Sequence, residues 1–110
     1  MSLDFYLITD ACPHCLRGGE RVSFNMTHNV APMWRLAGCY EALYEGEGKK
    51  ASDVLPTLLV AADHMEAHAE QYLPLNPLNR WGSYDGAIGW LRHVIAACQE
   101  NPDALIRVSR

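Results

Sequence analysis

The spacing of hydrophobic positions along this chain switches between a period of two and a period near 3.6, and the switches mark its elements. Leu3 to Thr9 alternate: Leu3, Phe5 and Leu7 share one face, Tyr6 and Ile8 the other. Apolar residues on both faces predict a central strand covered on both sides. Arg21 to Met26 alternate again, with Val22, Phe24 and Met26 on one side and Arg21, Ser23 and Asn25 on the other. Between them, Asp10 to Gly19 holds two cysteines, a proline and the pair Gly18-Gly19, and reads as a turn. Two strands joined by a glycine-rich loop make a hairpin.

The period then becomes helical. A helix is expected from Thr27-His28-Asn29, where Thr27 or Asn29 can cap and Pro32 fits the first turn. Val30, Met33, Leu36, Ala37, Tyr40, Leu43 and Tyr44 form its stripe, and Gly46-Glu47-Gly48-Lys49 ends it. Ser52 or Asp53 caps a second helix, with Pro56 in its opening turn and Leu55, Leu58, Leu59, Ala62 and Met65 as its apolar face. A weaker turn continues to Tyr72. Pro74 to Gly82, with two prolines and two asparagines, is expected to be irregular. Ser83 or Asp85 starts a third helix, whose stripe is Tyr84, Ala87, Ile88, Leu91, Val94, Ile95 and Cys98. Asn101-Pro102-Asp103 stops it, and Leu105 to Ser109 alternate as a last strand. The order ββαααβ predicts an α+β fold: a small three-stranded antiparallel sheet packed with about three helices. The first strand is expected between the second and the last.

A chain of 110 residues is one domain, 1–110. Its 49% hydrophobic and 20% charged residues are ordinary for a globular protein, so composition singles out no special class. The net charge of -4 and the scattered arginines make nucleic acid an improbable partner, because that recognition needs a basic stripe. The start, Met1 to Phe5, lacks a basic leader region, and no stretch reaches the roughly 18 apolar residues of a membrane span. The expectation is therefore no membrane partner and a reducing cytoplasm, where four cysteines are thiols or metal ligands rather than a disulfide framework.

Chemistry concentrates first in Cys12-Pro13-His14-Cys15. A thiol oxidoreductase of the thioredoxin type needs the first thiolate at a helix N-terminus. Here Leu16-Arg17-Gly18-Gly19 and then a strand follow instead. Cys-x-x-Cys at a hairpin tip with glycine close behind is the shape of a zinc knuckle, so Cys12 and Cys15 are candidate metal ligands and zinc a candidate cofactor. Structural zinc takes four ligands, and no second Cys-x-x-Cys is present. His64 and His68 stand four apart on a helix but opposite its apolar stripe, and read as solvated, as does His93. Cys98 reads as core, and Cys39 as the edge of its helix's stripe. His28 is left as the remaining histidine that could approach the knuckle.

Two polar clusters follow. Asn25, Thr27, His28 and Asn29 gather at a strand-to-helix junction, beside a helix N-terminus suited to anions. Asn79, Trp81, Gly82 and Tyr84 gather in the long loop before the last helix, supplying an amide and an aromatic wall. Simple capping by Thr27 and Asn29, and anchoring by Trp81, are the structural alternatives.

Several segments carry a family resemblance: Asn25-Met26-Thr27-His28-Asn29, Met33-Trp34, Ala37 to Tyr44, Asn76-Pro77, Trp81-Gly82-Ser83-Tyr84 and Asn101 to Arg110. Through them the chain resembles a family of small proteins of actinobacterial tailed bacteriophages and prophages, over most of its length. Arg80 departs from the small residue expected before Trp81. The resemblance implies a phage-type accessory protein, located in the host bacterial cytoplasm if phage-encoded, and no known activity. It also implies that the Cys-x-x-Cys turn is a local stabiliser and that shared function lies at Asn25, Thr27, His28, Asn29, Trp81 and Tyr84. The expected function is a non-enzymatic binding module, with a site around His28 and Trp81, for a small polar ligand or a host or phage protein. A zinc-stabilised module is the alternative, and a thiol-disulfide oxidoreductase the third reading. A hydrolase using His28 lacks an orienting carboxylate at a telling spacing. Self-association into a homo-oligomer is a further expectation, from a helical face beside a small sheet.

Overall fold

Alternation in three short segments builds the sheet. In the computed structural model, which describes residues 2–9, 21–77 and 82–110, β1 (Ser2–Ile8) pairs antiparallel with both β2 (Arg21–Thr27) and β3 (Leu105–Ser109). The order is β2-β1-β3, with the first strand central as its apolar content requires. Register places Leu3, Phe5 and Leu7 opposite Met26, Phe24 and Val22, and Phe5 and Leu7 opposite Val108 and Ile106. One apolar face results, and Leu3, Phe5, Leu7 and Ile106 are fully buried in it. The other face is covered only at Ile8, which is buried; Asp4 and Tyr6 stay half-exposed, beside exposed Ser23 and Asn25. Polar cross-strand contacts serve there, with Asn25 Nδ2 donating to Ser2 Oγ (2.9 Å) and Asp4 Oδ1 (2.7 Å), and Arg21 over the Tyr6 ring.

Five helices occur among the described residues: α1 (Ala31–Ala37), α2 (Tyr40–Tyr44), α3 (Ala51–Ala67), α4 (Ala69–Tyr72) and α5 (Tyr84–Glu100). The single first helix expected from the sequence is broken in two at Gly38. Its φ of 85° is left-handed, and its N–H donates to the Trp34 and Arg35 carbonyls. Such a C-cap is open to glycine at little cost. The break exposes Leu36, which the stripe placed in the core, and buries Trp34, which it did not. Before α1, His28–Val30 form a 3-10 turn capped by Thr27, whose Oγ1 accepts from Asn29 N–H.

Helix α3 starts a little earlier than expected, at Ala51. Lys50 is its N-cap, and the Lys50 N–H donates to Asp53 Oδ2 at 3.0 Å, so Asp53 acts from the first turn. Pro56 consequently lies inside the helix rather than in its opening turn. The weaker turn after it is α4. A second 3-10 turn, Leu73–Leu75, occupies the start of the stretch expected to be irregular. Ser83 caps α5 as expected, its Oγ accepting from Gly86 N–H.

Helices α3 and α5 pack together through Leu58, Ala61, Ala62 and Met65 on one side and Ala87, Leu91, Val94 and Ile95 on the other. Arg92 of α5 ties the pair at the surface, donating to Glu66 and Asp63 of α3. Trp90 of α5 meets Phe24 of β2 edge-on and Trp34 of α1 at 5.7 Å, so one aromatic run joins sheet and helices. The outer edge of β3 is occupied by the segment before α3. Gly48 N–H donates to Ile106 O, Ile106 N–H to Lys49 O, and Glu47 Oε1 accepts from Val108 N–H. An edge covered in this way cannot template pairing with another chain.

Two glycines with positive φ separate backbone strain from steric exclusion. A Cβ on Gly38 meets nothing within 4 Å, whereas one on Gly82 (φ 98°) lies 2.8 Å from Thr27 Cγ2 and 2.9 Å from Val30 Cγ1. Gly38→Ala is expected to cost about 1–2 kcal/mol, the left-handed penalty alone. Gly82→Ala should cost clearly more. Denaturant midpoints of the two variants check the order, and equal losses would contradict it.

Candidate functional site

His28 lies at the end of β2, and the 3-10 turn holds its ring over α2. Its Nδ1 is 2.8 Å from the Tyr44 hydroxyl, and the two rings lie 5.5 Å apart. Tyr40 and Tyr44, one turn apart on α2, stack at 4.4 Å with an 11° interplanar angle. The Arg35 guanidinium lies 4.4 Å over the Tyr40 ring, from the far side of the Gly38 break. Arg110, just past β3, approaches Tyr44 from another direction at 6.0 Å. These five side chains, with Ala31 and Pro32, line an open groove of about 450 Å³.

Charge in this groove is one-sided. Its lining side chains include no carboxylate. The ion pairs among the described residues use Arg92, Arg107 and His68, and neither Arg35 nor Arg110 enters one. Each guanidinium has its face near a tyrosine ring, while its planar fork of N–H donors remains suited to a carboxylate or phosphate. Burial pushes the Tyr44 phenol up to about 12, reinforced by neighbouring Tyr40 and opposed by Arg35 and Arg110. The phenol therefore stays a neutral hydrogen-bonding group beside His28. The arrangement can hold a flat anion beside the hydrogen bond between the His28 imidazole and the Tyr44 hydroxyl.

The other residues singled out from the sequence have separate duties. Asn25 is committed to the polar sheet face through Ser2 and Asp4. Thr27 caps the 3-10 turn, and Asn29 is exposed with its N–H on Thr27. Tyr84 is buried, donates to the Met65 carbonyl, and packs 6.0 Å from Tyr72, so it is a core anchor and not a groove wall. Its backbone N–H donates to Asn76 Oδ1, which fixes the start of α5. The loop before α5 does reach the β2–α1 junction, since Gly82 packs on Thr27 and Val30. Asn79 and Trp81 lie outside the described residues.

Cys12 and Cys15 also lie outside them, so the knuckle reading is not joined to any described ligand. Among the described residues no group of three or more His, Cys, Asp or Glu stands ready for a metal ion. Cys39 and Cys98 are both buried, and burial pushes their thiols up to about 12 and about 11. Cys39 lies in the core rather than at its edge. Among the described residues no helix is long and apolar enough to cross a membrane.

The chain has no match among protein-family models, curated proteins or solved structures. The site therefore stands on its own geometry.

Sequence reasoning located His28 and missed its partners. Arg35, Tyr40, Tyr44 and Arg110 were not recognised because Tyr40 and Tyr44 fit a core stripe, and Arg35 joins them only across the chain break. The four-residue spacing of the two tyrosines was the one legible signal.

Two outcomes follow from the displaced ionisations. The folded chain keeps the Tyr44 proton between pH 10 and about 12, where the unfolded chain releases it. The unfolded state then binds fewer protons, so stability holds below pH 10 and falls as pH rises toward 12. Tyr44→Phe is expected to start from a lower stability yet lose less over that interval, as read by urea titrations at each pH. Cys39 and Cys98 are expected to resist alkylation at neutral pH until the chain unfolds. Mass spectrometry of labelled peptides checks this, and rapid native labelling of either residue would contradict it.

Proposed function

We propose that this chain is a non-enzymatic binding module whose site is the His28 groove and whose ligand is a small anion bearing a flat ring. The observation that carries the reading is the convergence of two arginines that pair with no carboxylate among the described residues, a tyrosine stack and a histidine in one groove. Arg35 and Arg110 supply charge-assisted hydrogen bonds, which contribute about 1.5–3 kcal/mol each. The tyrosine edges and the apolar surface of Ala31 and Pro32 supply a wall for the ring. His28, held by Tyr44, adds a polar contact of fixed orientation. A phage-type accessory role fits such a module, and the Thr-His-Asn resemblance, which contains His28, supports it.

Phenyl phosphate is a suitable probe, with inorganic phosphate and phenol as controls. Titration followed by amide chemical shifts is expected to perturb residues around His28, Arg35, Tyr40 and Tyr44, with phenyl phosphate tighter than either control. Arg35→Ala is expected to weaken binding by about 10- to 100-fold, the equivalent of one charge-assisted bond. Equal affinity for wild type and Arg35→Ala, or shifts confined to other surfaces, would overturn the proposal.

A further inference from the structure

A second site lies where α3 ends. His64 and His68 were expected to be separately solvated, yet their rings lie 4.4 Å apart. They are one helical turn apart, and the His68 N–H donates to the His64 carbonyl at 3.0 Å, which fixes their separation. Each imidazole has its Nδ1 turned to an oxygen. His64 Nδ1 is hydrogen-bonded to the hydroxyl of Tyr72, a fully buried residue of α4. His68 Nδ1 faces Glu70 Oε1 at 3.8 Å. The described residues give neither Nε2 a hydrogen-bond partner. The His68 side chain is 43% exposed, so this edge of the pair is open to water.

We infer that His64 and His68 form a two-imidazole site for a divalent first-row transition metal, bound through their Nε2 atoms. In metal sites a ligating imidazole donates its other N–H to an oxygen, which fixes the tautomer and the ring. Tyr72 occupies that position for His64; Glu70 Oε1 lies 3.8 Å from His68 Nδ1, beyond hydrogen-bond distance but on the same side of its ring. In the metal-bound form His64 Nδ1–H donates to the Tyr72 hydroxyl, and the Nε2 lone pair is left for the ion. Imidazole suits zinc, nickel and copper, and copper is held most tightly in the general order of affinities. Two protein ligands leave the remaining positions to water, so the site is exchangeable and not a structural one. Asp63 and Glu66 on the same helix are committed to Arg92. This inference is independent of the groove, which contains none of these residues.

Nickel(II) tests it, because the ion is paramagnetic and thiols do not reduce it. Titrated into the full chain, free of any added histidine tag, nickel should broaden the imidazole signals of His64 and His68 before those of His28 and His93. His68→Gln should abolish the early broadening of His64 and weaken nickel binding by at least about tenfold. Tyr72→Phe, which keeps the buried ring and removes the acceptor, should weaken it by about tenfold. Any metal held elsewhere in the chain leaves the His64 response to His68→Gln unaltered, so the readout is specific to the pair. The site is overturned if His64 and His68 respond no earlier than His28 and His93, or if His68→Gln leaves His64 unchanged. Unaltered affinity in Tyr72→Phe overturns the positioning role of Tyr72.

Discussion

The break at Gly38 is the constraint on which the molecule turns. In a continuous helix, at roughly 100° per residue, Trp34 and Leu43 would point in opposite directions. Both are fully buried, as are Met33 and Cys39. The core can accept them all only if the chain changes direction between Arg35 and Tyr40, and a left-handed residue whose N–H closes back on Trp34 and Arg35 makes that change within one position. The same change sets Arg35 over Tyr40 and turns the Tyr40–Tyr44 stack toward His28. Core packing and groove geometry thus share one cause.

Around that break the fold is assembled from faces that each have one available partner. The sheet has a single apolar face, so the helices lie on one side and the polar side is left to Asn25, Asp4 and Arg21. The outer edge of β3 is closed by residues 47–50, immediately before α3 begins. The C-terminal part of α3 is pinned to α5 twice: by Arg92 near the middle of α5, and by Tyr84 at its start, which reaches the Met65 carbonyl. The exposed Arg92 pairs add little on their own. The buried Tyr84 bond matters more, since losing it strands a carbonyl in a dry core.

Strand number, strand order and the final helix were legible because each depends on local alternation or on a cap. Ser83 before a clean stripe and Leu105 to Ser109 after a proline stop leave few alternatives. What was not legible depended on distance or on backbone sign. Gly38 lies inside an otherwise regular helical pattern, and nothing local distinguishes a tolerated glycine from a left-handed one. The apolar faces assigned to Ile8 and Tyr6 suggested a doubly covered strand, although a Tyr ring can be satisfied by an arginine above it, as Arg21 does. The site divided in the same way. His28 was found as a polar residue at a junction, and Tyr84 was misassigned because a buried hydroxyl and a ligand-binding hydroxyl look alike in sequence.

The electrostatics of the groove follow from where the acids are, not from the total charge. The chain carries a net charge of -4, yet Asp63, Glu66 and Glu47 are drawn to Arg92 and Arg107, on other faces. Arg35 and Arg110 are left near tyrosine rings, which attract the cation without neutralising it. Two guanidinium groups lining one groove act over a short range. Beyond a Debye length of about 8 Å the groove's field is screened at physiological salt, so large polyanions gain little from it. A small anion seated in the groove lies within that length and feels both guanidinium groups. A composition that disfavours nucleic acid is thus compatible with the proposed binding of a small anion.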